Sequence, residues 1–181
     1  QLVELLVTDY VQSPDSKIVD VGTGSGVIAL SLAAKFPQAK VFAVDVSNDA
    51  LALAQENAAR LDLSARILFL ESNLLEKVEG TFDLIVANLP YVSTQDRHTL
   101  SREVLYDPEI ALFAGAQGDE LVRGLIAQAC TRLAPGGLLA LEIGLGQSEA
   151  LFVALAEKNY RDICSKHDYN GVTRFLFARY G

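Results

Sequence analysis

Lys17-Ile18-Val19-Asp20-Val21-Gly22-Thr23-Gly24-Ser25-Gly26 is the stretch on which the fold turns. A short apolar run breaks into three glycines at alternate positions. Val27 to Phe36 then follows with a helical pattern, closed by Pro37. Strand, glycine turn and helix in that order open a parallel βαβ unit. Downstream the unit repeats. Val41 to Val44 reads as a buried strand ending in Asp45, and Ser47 or Asn48 is placed to cap a helix whose Leu51, Ala54, Ala58 and Leu61 share one face. Arg66 to Leu70 and Phe82 to Ala87 read as strands, the second running into Asn88-Leu89-Pro90-Tyr91. Val92 to Leu112 is polar, irregular and long for a connector, which marks it as functional or mobile. Leu121 to Leu133 reads as a helix stopped by Ala134-Pro135-Gly136-Gly137, Leu138 to Ile143 as a strand, and Gln147 to Lys158 as a helix. Upstream, Gln1 to Val11 has helical spacing, broken by Ser13-Pro14-Asp15.

Alternating strands and helices imply parallel strands joined by right-handed crossovers, with helices on both faces of the sheet. Ile18-Val19, Val41 to Val44 and Leu84 to Val86 are apolar at consecutive positions, as strands buried on both sides must be. The last two β-rich runs, Tyr160 to Lys166 and Val172 to Arg179, have only the turn tetrad Asp168-Tyr169-Asn170-Gly171 between them, which predicts an antiparallel hairpin at the sheet edge. The expectation is one α/β domain spanning residues 1–181, doubly wound and mostly parallel.

Composition narrows the function. The 181 residues are half hydrophobic and about a fifth charged, an ordinary globular mixture. Fifteen Lys plus Arg against 23 Asp plus Glu leave a net charge of −8, a poor platform for polyphosphate, so stable nucleic-acid binding is not expected. No apolar run reaches the ~20 residues of a membrane span. Cys130 and Cys164 fit no metal or redox spacing and read as reduced thiols of a cytoplasmic protein. With no methionine and a first residue inside a helical pattern, the chain is expected to be part of a longer protein.

In a parallel sheet of this kind ligands sit outside the carboxyl ends of the strands. Three motifs fall there. The first is Gly22-Thr23-Gly24-Ser25-Gly26, preceded by Asp20. A dinucleotide loop spaces its glycines G-x-G-x-x-G, whereas here the third comes one place early and Val27 takes the dinucleotide position. The D-x-G-x-G-x-G form resembles the first motif of S-adenosylmethionine-dependent methyltransferases. The second is Asp45, closing the second strand, whose carboxylate is suited to accept both hydroxyls of a ribose. The third is Glu71-Ser72-Asn73-Leu74, at the place where methyltransferases commonly put an acid against the adenine amino group. Asn73 can accept there without charge, and Leu74 can lie against the adenine ring.

Asn88-Leu89-Pro90-Tyr91 selects the acceptor. The lone pair of a planar amide or exocyclic amine is delocalised, which makes the nitrogen a weak nucleophile. Accepting both N–H bonds, through the Asn88 side-chain oxygen and the Leu89 carbonyl, localises density on nitrogen. Pro90 stiffens the turn and Tyr91 offers a flat face for stacking. Positioning then supplies most of the acceleration, with no strong general base required.

These motifs are similar to those of the release factor glutamine methyltransferases, the HemK/PrmC family. The likeness runs through Val19 to Gly26, Ala43 to Ser47, Asp83 to Asn88, Tyr106-Asp107-Pro108, Ala111-Leu112, Pro135-Gly136-Gly137, Leu141-Glu142-Ile143-Gly144 with Gln147, and Asp168 to Arg174. It covers essentially the whole chain. It implies a Rossmann-like class I fold with a seven-stranded sheet, S-adenosylmethionine as cofactor and no metal. It further implies methyl transfer to the glutamine side-chain amide in the Gly-Gly-Gln loop of peptide chain release factors, by a monomer whose N-terminal helical docking domain is not in this sequence. Two positions depart from the family: Leu89 stands where proline is usual, and Asn73 where an acid is usual. Glu103 and Tyr106 are candidates for shaping the glutamine pocket. Glu142 is placed either to orient a substrate loop or to cap the wall of the site, the structural role being preferred; Asp168 and Arg174 are expected to pair across the hairpin, and His98 and His167 to be solvated or edge residues. The rival readings are a glutamine methyltransferase of a ribosomal protein, an N6-adenine methyltransferase of RNA or DNA, and a cofactor-binding module inactivated by Leu89.

Overall fold

The computed structural model describes residues 1–10, 16–99 and 108–181. The break expected at Ser13-Pro14-Asp15, and Glu103, Tyr106 and Asp107, lie outside them. The strands are β1 (Lys17–Val21), β2 (Lys40–Asp45), β3 (Ile67–Glu71), β4 (Phe82–Asn88), β5 (Leu133–Glu142), β6 (Tyr160–His167) and β7 (Thr173–Tyr180). They form one sheet in the order β3-β2-β1-β4-β5-β7-β6. The first five are parallel; β7 is antiparallel to both β5 and β6. The expected α/β sheet with a terminal antiparallel hairpin is present.

Helices α1 (Leu2–Leu5), α2 (Val27–Lys35), α3 (Asn48–Arg60), α5 (Glu120–Ala129) and α6 (Ser148–Glu157) cover the sheet, and a short α4 (Glu109–Leu112) lies in the connection between β4 and α5. Successive strand residues point to opposite faces, so each strand feeds two cores. Ile18, Leu84 and Val86 join Leu6, Leu30 and Leu32 on one face. Val19, Ile85 and Leu139 join Leu125, Ile126 and Leu155 on the other. Burial on both faces explains why these strands lack polar alternation. Among the described residues no helix is long and apolar enough to cross a membrane.

Three elements differ from the sequence reading. The N-terminal helix is α-helical only over Leu2–Leu5 and continues as a π-helical turn over Leu6–Tyr10. Its polar side meets the terminal hairpin, with the Tyr169 hydroxyl donating to Glu4 at 2.6 Å and Lys166 3.6 Å from Asp9. Leu61 does not share the buried face of α3. The helix ends at Arg60, Asp62 adopts a positive φ of 56°, and the turn swings Leu61 outward. Finally, α5 stops at Ala129, and Leu133 already pairs with Phe82 in β5. Ala134 to Gly137 is a bulge inside β5 rather than a helix stop: the pairing jumps from Phe82–Leu133 to Leu84–Leu138. Proline is tolerated in a strand at such a bulge because no ladder bond is asked of its nitrogen.

Candidate active site

The strand order reverses at β1, whose neighbours are β2 and β4. Crossovers leave in opposite directions there and open a crevice at the carboxyl ends. The glycine loop, Asp45 and Asn88-Leu89-Pro90-Tyr91 emerge from β1, β2 and β4 respectively, so the topology brings these expected site segments to one end of three adjacent strands.

The loop is built by backbone that only glycine adopts easily. Gly22, Gly24 and Gly26 have φ of 70°, 55° and 87°. Gly22 and Thr23 N–H groups donate to the Val44 carbonyl at 2.8 and 3.0 Å, which holds the turn against β2. Asn57 on α3 donates to the Ser25 carbonyl at 2.9 Å. Around Gly24 an added Cβ would meet nothing within 4 Å, so its positive φ serves the path of the turn and leaves open space beside it. The Thr23 hydroxyl points inward and donates to Asp20 at 2.7 Å.

Asp45 braces this loop. One carboxylate oxygen accepts from Gly24 N–H at 2.9 Å and the other from Ser47 N–H at 2.9 Å. A carboxylate offers about four lone-pair directions, so half its capacity remains for a ligand. The Ser47 hydroxyl accepts from Ala50 N–H at 3.2 Å, which makes Ser47, not Asn48, the cap of α3. Asn73 is exposed, and its side-chain N–H donates to Glu76 at 2.7 Å, so the side-chain oxygen is turned away from that bond. Leu74 has φ 50° and packs toward α5, one methyl lying 3.2 Å from where a Cβ on Gly124 would stand.

Asp20, in the sequence no more than the acid before the loop, carries a role that only the fold reveals. It is 1% exposed. One oxygen accepts from Thr23 and from Ala29 N–H at 3.0 Å; the other is buried with no hydrogen-bond partner. Burial pushes its carboxyl up to about 6, against the two hydrogen bonds that lower it. The sign follows from linkage. Between pH 4 and 6 the folded chain binds a proton that the unfolded chain has lost, so this group's contribution to stability is full at low pH and is lost as pH rises through 6. Relative to Asp20→Asn, the parent chain is expected to gain about 2 kcal/mol of unfolding free energy on going from pH 7 to pH 4. Denaturant titrations at both pH values test this; a pH-independent difference would refute it.

Leu89 resolves differently from its sequence expectation. Losing the family proline removes backbone rigidity, yet the side chain is 5% exposed and rests on the glycine loop. A Cβ on Gly22 would lie 2.6 Å from the Leu89 Cδ2. Packing therefore anchors the corner where a proline ring would have stiffened it. Gly22→Ala and Leu89→Ala are expected to be coupled, the double variant being about 1 kcal/mol less destabilised than the sum. Additive unfolding energies would show the contact to be unimportant.

Asn88 ends β4 with an exposed side chain. Its register partner on β5 is Glu142, so the two side chains stand on the same face of adjacent strands. Burial raises the Glu142 carboxyl, opposed by the nearby Arg174 guanidinium. Arg174 sits 5.7 Å from the centre of the Tyr91 ring, donates to the Ile143 carbonyl at 3.3 Å and lies 3.8 Å from Asp168. The pair expected across the hairpin is thus present, and it reaches Tyr91. His98 and His167 are exposed. Gln147, quoted in the sequence only as part of a motif, bridges three segments beside Tyr91. Nothing in the local sequence marked these longer-range contacts.

A doubly wound sheet with a glycine loop after β1, an acid after β2 and an Asn-x-Pro-Tyr corner after β4 is the class I methyltransferase arrangement. The chain belongs to the methyltransferase small domain family, whose model matches residues 2–115. It is 40% identical over 178 residues to a release factor glutamine methyltransferase of Deinococcus radiodurans, covering 98% of this chain and 63% of that protein. A protein of the same name from Moorella thermoacetica is 44% identical over 163 residues, covering 89% and 58%. These relatives bear out the HemK/PrmC resemblance, and the chain spans about three fifths of their length. Among solved structures, a ribosomal protein L11 methylase from Lactobacillus delbrueckii subsp. bulgaricus superposes with a TM-score of 0.74 at 27% identity, covering 99% of this chain and 77% of that one.

Proposed function

We propose that residues 1–181 form the catalytic domain of an enzyme that transfers a methyl group from S-adenosylmethionine to the side-chain amide of a glutamine, that of the Gly-Gly-Gln loop of peptide chain release factors. The observation that carries this reading is the exposed Asn88 at the end of β4, held beside the glycine loop through the Leu89–Gly22 contact. The release factor names of the relatives support the choice of acceptor.

The residues present fit the cofactor. Asp45 has spare acceptor capacity for two ribose hydroxyls, and the orphaned oxygen of Asp20 suits a cationic amino group close to the loop. The open space beside Gly24 suits backbone approach without a phosphate. Asn73 and Leu74 would border the adenine. When bound, S-adenosylmethionine supplies an electrophilic methyl group. The chain's own work is on the acceptor. The Asn88 side-chain oxygen and the Leu89 carbonyl each take one N–H of the primary amide, drawing its lone pair away from the carbonyl. Tyr91 stacks against the amide plane, and Pro90 limits the motion of both. The surplus proton on the methylated nitrogen is lost to solvent at this exposed corner once the methyl group has been transferred, so no strong general base is required.

We read the enzyme as a cytoplasmic monomer that does not hold nucleic acid stably. Glutamine in a ribosomal protein is the second reading; the likeness to a ribosomal protein L11 methylase favours the class of substrate protein and not the residue. An adenine amino group in RNA poses the same chemical problem but meets an acidic chain of net charge −8. Incubating the complete protein with tritiated S-adenosylmethionine and, separately, release factor, ribosomal protein and RNA decides among them. Label on release factor glutamine is expected; label confined to RNA or to ribosomal protein would overturn the proposal.

A further inference from the structure

Beside the corner, one side-chain amide does three jobs. The Gln147 Oε1 accepts from Gly144 N–H at 2.8 Å, at the exit of β5. Its Nε2 donates to the Gly118 carbonyl at 2.9 Å and to the Tyr91 carbonyl at 3.3 Å. Gly118 is tight against the same place: with φ 86°, an added Cβ would lie 2.7 Å from the Tyr91 oxygen and 2.9 Å from Ser93 N. Around it, Ala114 N–H donates to the Val92 carbonyl, Thr94 N–H donates to the Gly115 carbonyl, and the Ser93 hydroxyl donates to the Ala116 carbonyl. The Tyr91 backbone is thus pinned through its carbonyl, while the Arg174 guanidinium lies against its ring.

We propose that Gln147 is a positioning residue for methyl transfer: it fixes the Tyr91 backbone, and through it the aromatic wall and the orientation of the acceptor, without touching acceptor or cofactor. The proposal rests on reading Asn88-Leu89-Pro90-Tyr91 as the acceptor corner. The chemistry requires this amide in particular, because one acceptor and two donor functions meet at a single site. Glutamate of the same length keeps the bond from Gly144 but sets a carboxylate oxygen against two carbonyl oxygens. A misplacement of about 1 Å at a reacting group costs on the order of 10²-fold in rate.

The test uses the complete protein, wild type and Gln147→Glu, with release factor as acceptor. Expected is a fall in kcat of ~10–100-fold with calorimetric affinity for S-adenosylmethionine within about twofold. Arg174→Lys, which keeps the charge but not the planar stacking group, is expected to lower kcat in the same sense and by less. Unchanged kcat in Gln147→Glu, or equal losses of kcat and cofactor affinity, would overturn the proposal. A second readout needs no acceptor. In protein labelled with 3-fluorotyrosine, the Tyr91 fluorine resonance, assigned by its loss in Tyr91→Phe, is expected to shift in Gln147→Glu. An unmoved resonance would overturn the positioning role whatever the substrate. A shifted resonance in an enzyme that does not methylate release factor would instead overturn the choice of acceptor.

Discussion

Asn88→Ala is expected to lower methyl transfer by ~10²–10³-fold while leaving the calorimetric affinity for S-adenosylmethionine within a few-fold of the parent, the scale seen when one preorganised polar contact to a reacting group is removed. The separation of the two effects follows from the fold. Asn88 ends β4 and is exposed, whereas the loop is held by hydrogen bonds to Val44, Asp45 and Asn57. Asn88→Asp keeps an acceptor oxygen at the same distance and is expected to retain more activity than alanine. The neighbouring Glu142, one strand away in register, makes a second carboxylate there unfavourable, so full activity is not expected. Wild-type rates in Asn88→Ala would refute the acceptance of amide hydrogens at this corner.

Asp45→Ala is expected to act on the other half of the site. Its carboxylate holds Gly24 and Ser47 N–H groups already, and two further charge-assisted bonds to ribose hydroxyls at ~1.5–3 kcal/mol each would be lost with it. The expected weakening of S-adenosylmethionine binding is ~10²–10⁴-fold, with both the ligand contacts and the preorganisation of the loop removed together. Asp45→Asn should fall between, because an amide can accept from only one of the two backbone N–H groups and turns its own donors toward the other. Calorimetry with the variants is the measurement; affinity within threefold of the parent in Asp45→Ala would refute the ribose role.

How much of this could be read from the residues alone depends on the range of the interaction. Gly22 to Gly26, Asp45 and Asn88 to Tyr91 announce themselves because turn chemistry, strand ends and short motifs are local properties. The parallel core was legible in Ile18-Val19 and Leu84 to Val86 for the same reason: burial on both faces removes the polar alternation. What escaped was set by partners far along the chain. Leu133 is drawn into β5 by Phe82 across the sheet, against the helical spacing before it. Leu61 continues the apolar spacing of α3 but lies past its end. The seat of Leu89 on Gly22, the orphaned oxygen of Asp20 and the three bonds of Gln147 each join residues that only the folded sheet brings together.

The direct pairing of β1 with β4, in register from Ile18–Leu84 to Val21–Ala87, has a consequence for how the reaction distance is kept. Neighbouring strands lie ~4.8 Å apart, a spacing dictated by the peptide hydrogen bond and shared by every sheet. On the proposed assignment the cofactor loop and the acceptor corner follow two adjacent strands of that lattice, so their separation is gauged by the stiffest ruler a polypeptide possesses. Loops around the crevice are then at liberty to vary for different acceptors without recalibrating the gap that the methyl group must cross.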